Sequence, residues 1–507
     1  MKKTIKHILF VALLLVAVVL PMASCLGAGI STILYDYEDP KRHNTTEKYF
    51  NGTEVQAPAD PVRDGFEFIG WYHKGEKVTF PFVVQSSITL EARYKAITYS
   101  INYHTDLGQM PTDCTTSYDV YDEVNIPSLM LDNYYFAGWY DNPEFSGSRI
   151  ASIPKGSFGD KEFYARWIEG TESLNYELSE DGKSYTVTGY SGSDTEICIP
   201  DAIDSKPVIR IADNAFGYCS DITDVAISNN VAEIGASAFT YCTSLKSVVM
   251  PENLTKIDNS VFAVCTSLTD IKIPEAVECI GDFAFAYCSS LTEVYLYDNV
   301  THVGSSAFQD CTSLDSVKLG KGVQSIGDFA FAYCGNLKKV SFRGDNVKVI
   351  GNSAFNSCTS LTTISTSRGL EEIGSYAFAG CSAMTGISFY SDCISFGVGA
   401  FCDCTSLKDI DLPNYTEIIE EMAFAGCTSI KRVTIPRTVT KLGSNAFMSC
   451  TSLTTILYEG TESEWNEIVA TASHSYPDVT VYFYSKEKPE TEGNYWGNMN
   501  NPNGYIW

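Results

Sequence analysis

Eleven cysteines recur at a nearly constant interval through the second half of the chain. The interval is 23 residues at every step except one, which is 24. Phe stands three residues before each cysteine and a β-branched residue six after it. A unit this short cannot bury its apolar side chains alone, whereas stacked copies can. The sequence therefore predicts a solenoid whose coils carry Cys219, Cys242, Cys265, Cys288, Cys311, Cys334, Cys358, Cys381, Cys404, Cys427 and Cys450.

Each coil contains two local patterns. Phe, Cys and Leu at positions i, i+3 and i+6 predict a short helical turn. The Val-x-Ile that follows predicts a short strand with two inward side chains and one outward side chain. The extra residue of the 24-residue interval lies near Gly344, Asp345 and Asn346. We expect it to extend a turn at little energetic cost.

The repeated unit, A-F-x-x-C-T-S-L-x-x-V-x-I-P-x-x-V-x-x-I-G, resembles the BspA-like leucine-rich repeat. Residues 181–208 and 458–468 resemble the capping sequences of that family. The resemblance implies a leucine-rich-repeat solenoid of short parallel strands and short helical turns over residues 171–485, followed by a C-terminal tail at 486–507. It also implies a surface protein that binds host proteins or neighbouring cells, without catalysis.

Two similar stretches precede the repeats. One carries DGFEFIGWY followed by ITLEARY, and the other DNYYFAGWY followed by KEFYARW. Alternation of apolar and polar residues predicts strands with one buried face. The stretches resemble the internalin B-type repeat, which implies two small β-grasp-like modules, here residues 34–97 and 98–170. We interpret Trp71 and Trp139 as core residues; the alternative is that they stack on sugars.

The amino terminus has the pattern of an export signal. Lys2, Lys3 and Lys6 precede an apolar run that is too short for a typical membrane span. The sequence Met-Ala-Ser-Cys at 22–25 resembles a bacterial lipobox. This resemblance implies a signal peptide at 1–24, a lipid on Cys25 and a linker at 25–33. The sequence thus predicts an exported protein anchored by lipid at the outer face of a bacterial cell envelope.

Charge excludes one class of partner. Acidic residues outnumber basic ones 62 to 35, which gives a net charge of -27. A chain of this charge repels polyanions, so nucleic acid is not an expected ligand. No C-x-x-C or H-E-x-x-H pattern is present, and the histidines are scattered. The sequence therefore predicts no metal, no cofactor and no enzyme.

The repeated cysteines are predicted to be buried, reduced thiols. They occupy the same position in every coil, so their Cβ vectors point in the same direction, which is poor geometry for a disulfide. One pair outside this column suggests another reading. Cys279 and His302 should be neighbours on adjacent coils, where a histidine could activate a thiol. A cell-envelope thiol enzyme is therefore an alternative hypothesis.

The outward positions of the predicted strands form the candidate binding surface. They combine interspersed charge with one tyrosine, a composition suited to recognition of a protein or polysaccharide. The alternatives are a merely solvated face and a purely structural spacer. The sequence does not predict an oligomeric state. The candidate ligand-binding residues are Lys272, Tyr295, Lys318, Lys339, Asp409, Asp411 and Arg432.

Overall fold

The computed structural model describes residues 29–390, 395–470, 479–486, 493–497 and 505–506. The predicted signal peptide and Cys25 lie outside these residues. The described residues belong to two compact units. One comprises residues 29–104, 111–127 and 139–164; the other comprises residues 105–110 and 128–138 and the described residues from 165 onward. In the described part of the chain, no helix is both long and apolar enough to cross a membrane.

The first N-terminal module is a five-stranded sheet with a separate two-stranded pair. Trp71 is 3% exposed, and Tyr35, Tyr37 and Phe68 pack edge-on against it at centroid distances of 5.2 to 5.6 Å. The interpretation of Trp71 as a core residue is therefore confirmed. The sheet order is Thr45–Phe50, Ile30–Asp36, Ile88–Ala96, Phe66–His73 and Glu76–Lys77, and the pair is Glu54–Val55 with Phe82–Val83.

The second module has a four-stranded sheet. Trp139 is buried, donates from Nε1 to the carbonyl of Pro127 at 2.7 Å and packs against Tyr103, so it is also a core residue. The sheet order is Tyr134–Tyr140, Lys161–Glu169, Tyr99–His104 and Ser117–Tyr118, and a separate pair joins Val124–Asn125 to Ser152–Ile153.

The solenoid begins with a cap of four strands. The last of them pairs in parallel with Glu233–Ile234 and so starts one of the two ladders of the solenoid. The cap strands are Leu174–Leu178, Tyr185–Tyr190, Ala202–Ile203 and Lys206–Ile211.

One parallel ladder consists of two-residue strands, which we call the side strands. Nine of them form a continuous sheet from Lys256–Ile257 to Lys441–Leu442. The side strands are Glu233–Ile234, Lys256–Ile257, Cys279–Ile280, His302–Val303, Ser325–Ile326, Val349–Ile350, Glu372–Ile373, Ser395–Phe396, Ile418–Ile419 and Lys441–Leu442.

The other ladder consists of longer strands, which we call the main strands. This ladder is interrupted. Ile271–Lys272–Ile273 forms no strand, although both isoleucines are buried and Lys272 is exposed as predicted. The main strands are Glu196–Ile199, Asp224–Ile227, Ser247–Val249, Glu293–Tyr295, Ser316–Leu319, Lys339–Phe342, Thr363–Ser365, Gly386–Ser388, Asp409–Asp411, Arg432–Ile435, Thr455–Tyr458 and Thr480–Tyr484.

The core is a column of identical side chains. Phe308, Phe331 and Phe355 stack with centroid separations of 5.2 and 5.3 Å and nearly parallel rings. Beside them, each buried thiol donates to the Phe carbonyl of the preceding coil, as Cys311 does to Phe285. Ten of the eleven repeated cysteines are buried. Cys219 is half-buried because no coil with an equivalent Phe and Cys precedes it.

Each segment predicted as a helical turn consists of consecutive single turns and forms no continuous helix. Cys265 N donates to Phe262 O and Leu268 N to Cys265 O, both three residues back. The Phe262 amide, however, donates to Ala284 O in the next coil. Two residues in each such segment, here Ser260 and Val264, have positive φ. These features prevent the turn from continuing as a helix.

The C-terminal cap contains the one helix of the described residues, Glu462–Val469. Thr461 caps it, and Glu464 pairs with Arg437 at 2.6 Å, which lowers the pKa of that carboxyl to about 2. Two described segments of the predicted tail continue the sheet. Tyr495–Gly497 and Tyr505–Ile506 extend it, since Trp496 is buried and donates to the carbonyl of Tyr458.

Candidate ligand-binding face and cavity

The main strands place two of the predicted site residues side by side. Tyr295 and Lys318 are paired in register on adjacent strands. The Lys318 ammonium lies 6.0 Å from the centroid of the Tyr295 ring and 3.9 Å from the Glu293 carboxylate. The two side chains thus form a contiguous polar and aromatic surface, as the outward position predicts.

Arg343 joins this group and was not predicted. It follows the strand Lys339–Phe342, contacts the Tyr295 hydroxyl and lies 3.6 Å from the Asp298 carboxylate. The alternation of inward and outward residues identifies positions within a strand only. A residue in the following turn that folds back over the strands carries no such signal.

A second group lies further along the ladder. Asp409 is paired with Arg432 on the neighbouring strand, and Asp411 accepts a hydrogen bond from Thr434 at 2.7 Å. Lys272 occupies the equivalent position in the coil before Tyr295, in a segment that forms no strand. The predicted residues therefore form two clusters rather than one continuous site.

Among the described residues the main-strand ladder is broken at three places, and one of these breaks coincides with an open cavity of about 470 Å³. Lys339–Phe342 and Thr363–Ser365 lie in different sheets, and the inserted residue of the 24-residue coil lies between them. The insertion lies in the turn after Phe342, as predicted, and this turn borders the gap in the ladder. Residues around the cavity include Lys339, Ser341, Phe342, Asp345, Thr363, Ser365, Arg368 and Tyr390.

The turn segments carry a second exposed surface that sequence reasoning missed. Its aromatic residues have positive φ, and the rings of Tyr218 and Tyr241 stack at 4.8 Å. The signal was present, since Tyr directly precedes several of the repeated cysteines. These exposed aromatic residues are Tyr218, Tyr241, Phe283, Tyr287, Phe329, Tyr333 and Tyr376.

Cys279 and His302 are neighbours in register on two side strands, as predicted. Their environment does not favour thiolate chemistry. Burial raises the pKa of the Cys279 thiol, and Asp258 and Asp282 act in the same direction while Lys256 opposes them. His302 bonds instead to the hydroxyl of Thr301 at 2.8 Å. A thiol with a raised pKa is a poor nucleophile at neutral pH.

Within the residues that the structure describes, no group of three or more His, Cys, Asp or Glu side chains is arranged to hold a metal ion.

The fold defines a leucine-rich-repeat protein. The model of the BspA type leucine rich repeat region matches residues 209–338, 278–408 and 324–454, and the Listeria-Bacteroides repeat domain matches residues 32–93 and 99–166. The chain belongs to the BspA-type leucine-rich-repeat family.

Solved structures and a curated relative are similar to parts of the chain. A leucine rich repeat protein of T. pallidum is 33% identical, covers 38% of this chain and 91% of its own, and has a TM-score of 0.36. A leucine rich cell surface protein of Faecalibacterium prausnitzii is 30% identical. The match covers 59% of this chain and 96% of that protein, with a TM-score of 0.36. A protein of Evansella cellulosilytica that carries a membrane-protein name is 26% identical over 136 residues, which are 24% of this chain and 20% of that protein. The chain thus spans about a fifth of that relative's length.

Proposed function

We propose that this chain is a surface lipoprotein whose main-strand face binds an extracellular protein or polysaccharide. Leucine-rich repeats suggest an interaction or adhesion role, and the family is generally non-enzymatic. The observation that carries the proposal is the composition of the main-strand face. Tyr295, Lys318 and Arg343 form one cluster, and Asp409 and Arg432 lie on adjacent strands further along. Aromatic and arginine side chains are the types most enriched at binding surfaces.

We propose that the chain is attached to the membrane through a lipid on Cys25. The supporting observation is the lipobox-like sequence behind a short basic and apolar segment. The two N-terminal modules then serve as a spacer between the membrane and the solenoid. Their buried Trp71 and Trp139 support this role, because rings enclosed in a core are unavailable to stack on sugars.

Array binding tests the function directly. The chain from residue 26 onward is applied to glycans and extracellular-matrix proteins, beside a variant that carries Tyr295→Ala and Arg343→Ala. A ligand that binds the first protein and is lost from the second supports the main-strand face. A chain that retains no ligand of either class would instead be a spacer.

The thiol-enzyme alternative has a separate test. Under native conditions an alkylating reagent should react with Cys279 no faster than with a free cysteine, because the thiol pKa is raised. Selective rapid labelling that disappears in His302→Ala would favour the enzyme.

A further inference from the structure

We propose that the cavity at the 24-residue coil binds a saccharide that carries a carboxylate. This inference rests on the proposed function and assigns it a ligand class. A regular ladder of parallel strands presents a nearly flat face, and the cavity lies at one of the breaks in that ladder. Its volume of about 470 Å³ is in the range of small-molecule sites.

Two cations at the cavity lack carboxylate partners. Neighbouring basic residues are paired, Lys318 with Glu293, Lys338 with Asp315 and Arg343 with Asp298. Neither Lys339 nor Arg368 takes part in an ion pair among the residues described. They are available to an anionic ligand.

Asp345 also lines the cavity, and its carboxylate is held by the backbone. Asp345 accepts a hydrogen bond from the Arg368 amide at 3.3 Å, which orients it toward the main chain. Among the described residues of the lining, two cations and one anion give a net charge of +1. The remaining charges of the chain are screened over about 10 Å at ordinary ionic strength, so the overall charge of -27 does not exclude a small anion here.

The rest of the lining favours a sugar over an acidic peptide. The hydroxyls of Ser341, Thr363 and Ser365 make no side-chain hydrogen bond within the described residues, so they can bond to ligand hydroxyls. Phe342 and Tyr390 supply apolar ring surface at the same cavity. A carboxylate would engage Arg368 and Lys339 through charge-assisted hydrogen bonds.

The test uses the chain from residue 26 onward and a disaccharide of hexuronic acid, with its methyl ester as the neutral match. Calorimetric titration should show binding of the acid and at least about tenfold weaker binding of the ester, since a hydrogen bond to a charged group contributes about 1.5 to 3 kcal/mol. Arg368→Gln and Lys339→Gln should each weaken binding of the acid similarly. Lys338→Gln, which removes a neighbouring cation that is already paired with Asp315, should leave it unchanged. Thermal midpoints verify that each variant is folded.

Three results would overturn the assignment. Equal binding of the acid and the ester would show that Arg368 and Lys339 do not bind the carboxylate. Binding of a Glu-containing peptide through Arg368, without binding of the disaccharide, assigns the cavity to acidic peptides. No disaccharide binding by a chain that retains another ligand on the array refutes this inference and leaves the proposed function intact, whereas a chain without any array ligand refutes both.

Discussion

The hydroxyl of Ser228 donates to Oδ1 of Asp201 at 2.6 Å, while the amide of Phe136 donates to Oδ2 at 2.7 Å. Asp201 is 3% exposed. Its carboxylate therefore connects the segment Ser128–Gly138 to the first coils of the solenoid. Burial raises the pKa of this carboxyl to about 6, although both hydrogen bonds lower it.

This relationship predicts a pH dependence of stability. Because the pKa of Asp201 is higher in the folded chain than in the unfolded chain, its contribution is fully present below about pH 3.8 and is lost as the pH rises through about 6. The free energy of unfolding of the wild type, taken relative to that of Asp201→Asn at the same pH, should fall on the order of 3 kcal/mol between pH 4 and 7. Denaturant unfolding of both proteins at each pH measures this difference. A difference that is constant over this range, or that increases, would contradict the prediction.

The Phe column predicts a contrast between core and surface. Phe331 lies between two stacked rings, so Phe331→Ala should open a cavity and destabilise the chain by about 3 to 5 kcal/mol. Lys318→Ala removes an exposed side chain and should cost less than about 0.5 kcal/mol. Urea unfolding of both variants measures the difference. Equal effects would mean that the two faces are assigned incorrectly.

The thiol column predicts selective protection. In the native chain an alkylating reagent should label the half-buried Cys114, Cys219, Cys279 and Cys402 before the ten buried thiols of the repeated column. Burial raises the pKa of Cys288 to about 12, for example, and so suppresses the reactive thiolate. After unfolding without reductant, nearly all cysteines should be labelled. Peptide mapping that finds a bridge such as Cys242 to Cys265 would refute the prediction.

The anchor is a prediction from sequence alone. The mature protein should begin at a lipidated Cys25 and partition into detergent, and Cys25→Ser should be unprocessed or mislocalised. Mass spectrometry of the mature amino terminus distinguishes the two outcomes. An unmodified terminus beyond residue 25 would exclude the lipid.

The period of 23 residues was sufficient to predict the solenoid, because burial of Phe, Cys and Val at fixed positions depends only on repetition. It also predicted the lateral pairs Tyr295 with Lys318 and Cys279 with His302. Lateral pairing follows directly from coil spacing. The family match confirms the repeat type over residues 209–454.

The cavity could not be predicted in the same way. The sequence shows that one coil is longer, but not which interstrand hydrogen bonds are lost. Arg368 and Tyr390 lie outside the Val-x-Ile pattern, so no periodicity marked them. The continuing sheet after residue 485 was missed because its aromatic strands depart from the 23-residue repeat.

The hydrogen bonds from the thiols to the Phe carbonyls have an environmental consequence. A column of paired cysteines would need an electron acceptor to form, so its folding would depend on oxygen or on an oxidising partner. Here each buried thiol of the column stays protonated and donates a hydrogen bond to a carbonyl of the preceding coil, as Cys358 does to Phe331 at 3.2 Å. The solenoid can therefore reach the same fold in anoxic and in aerated surroundings.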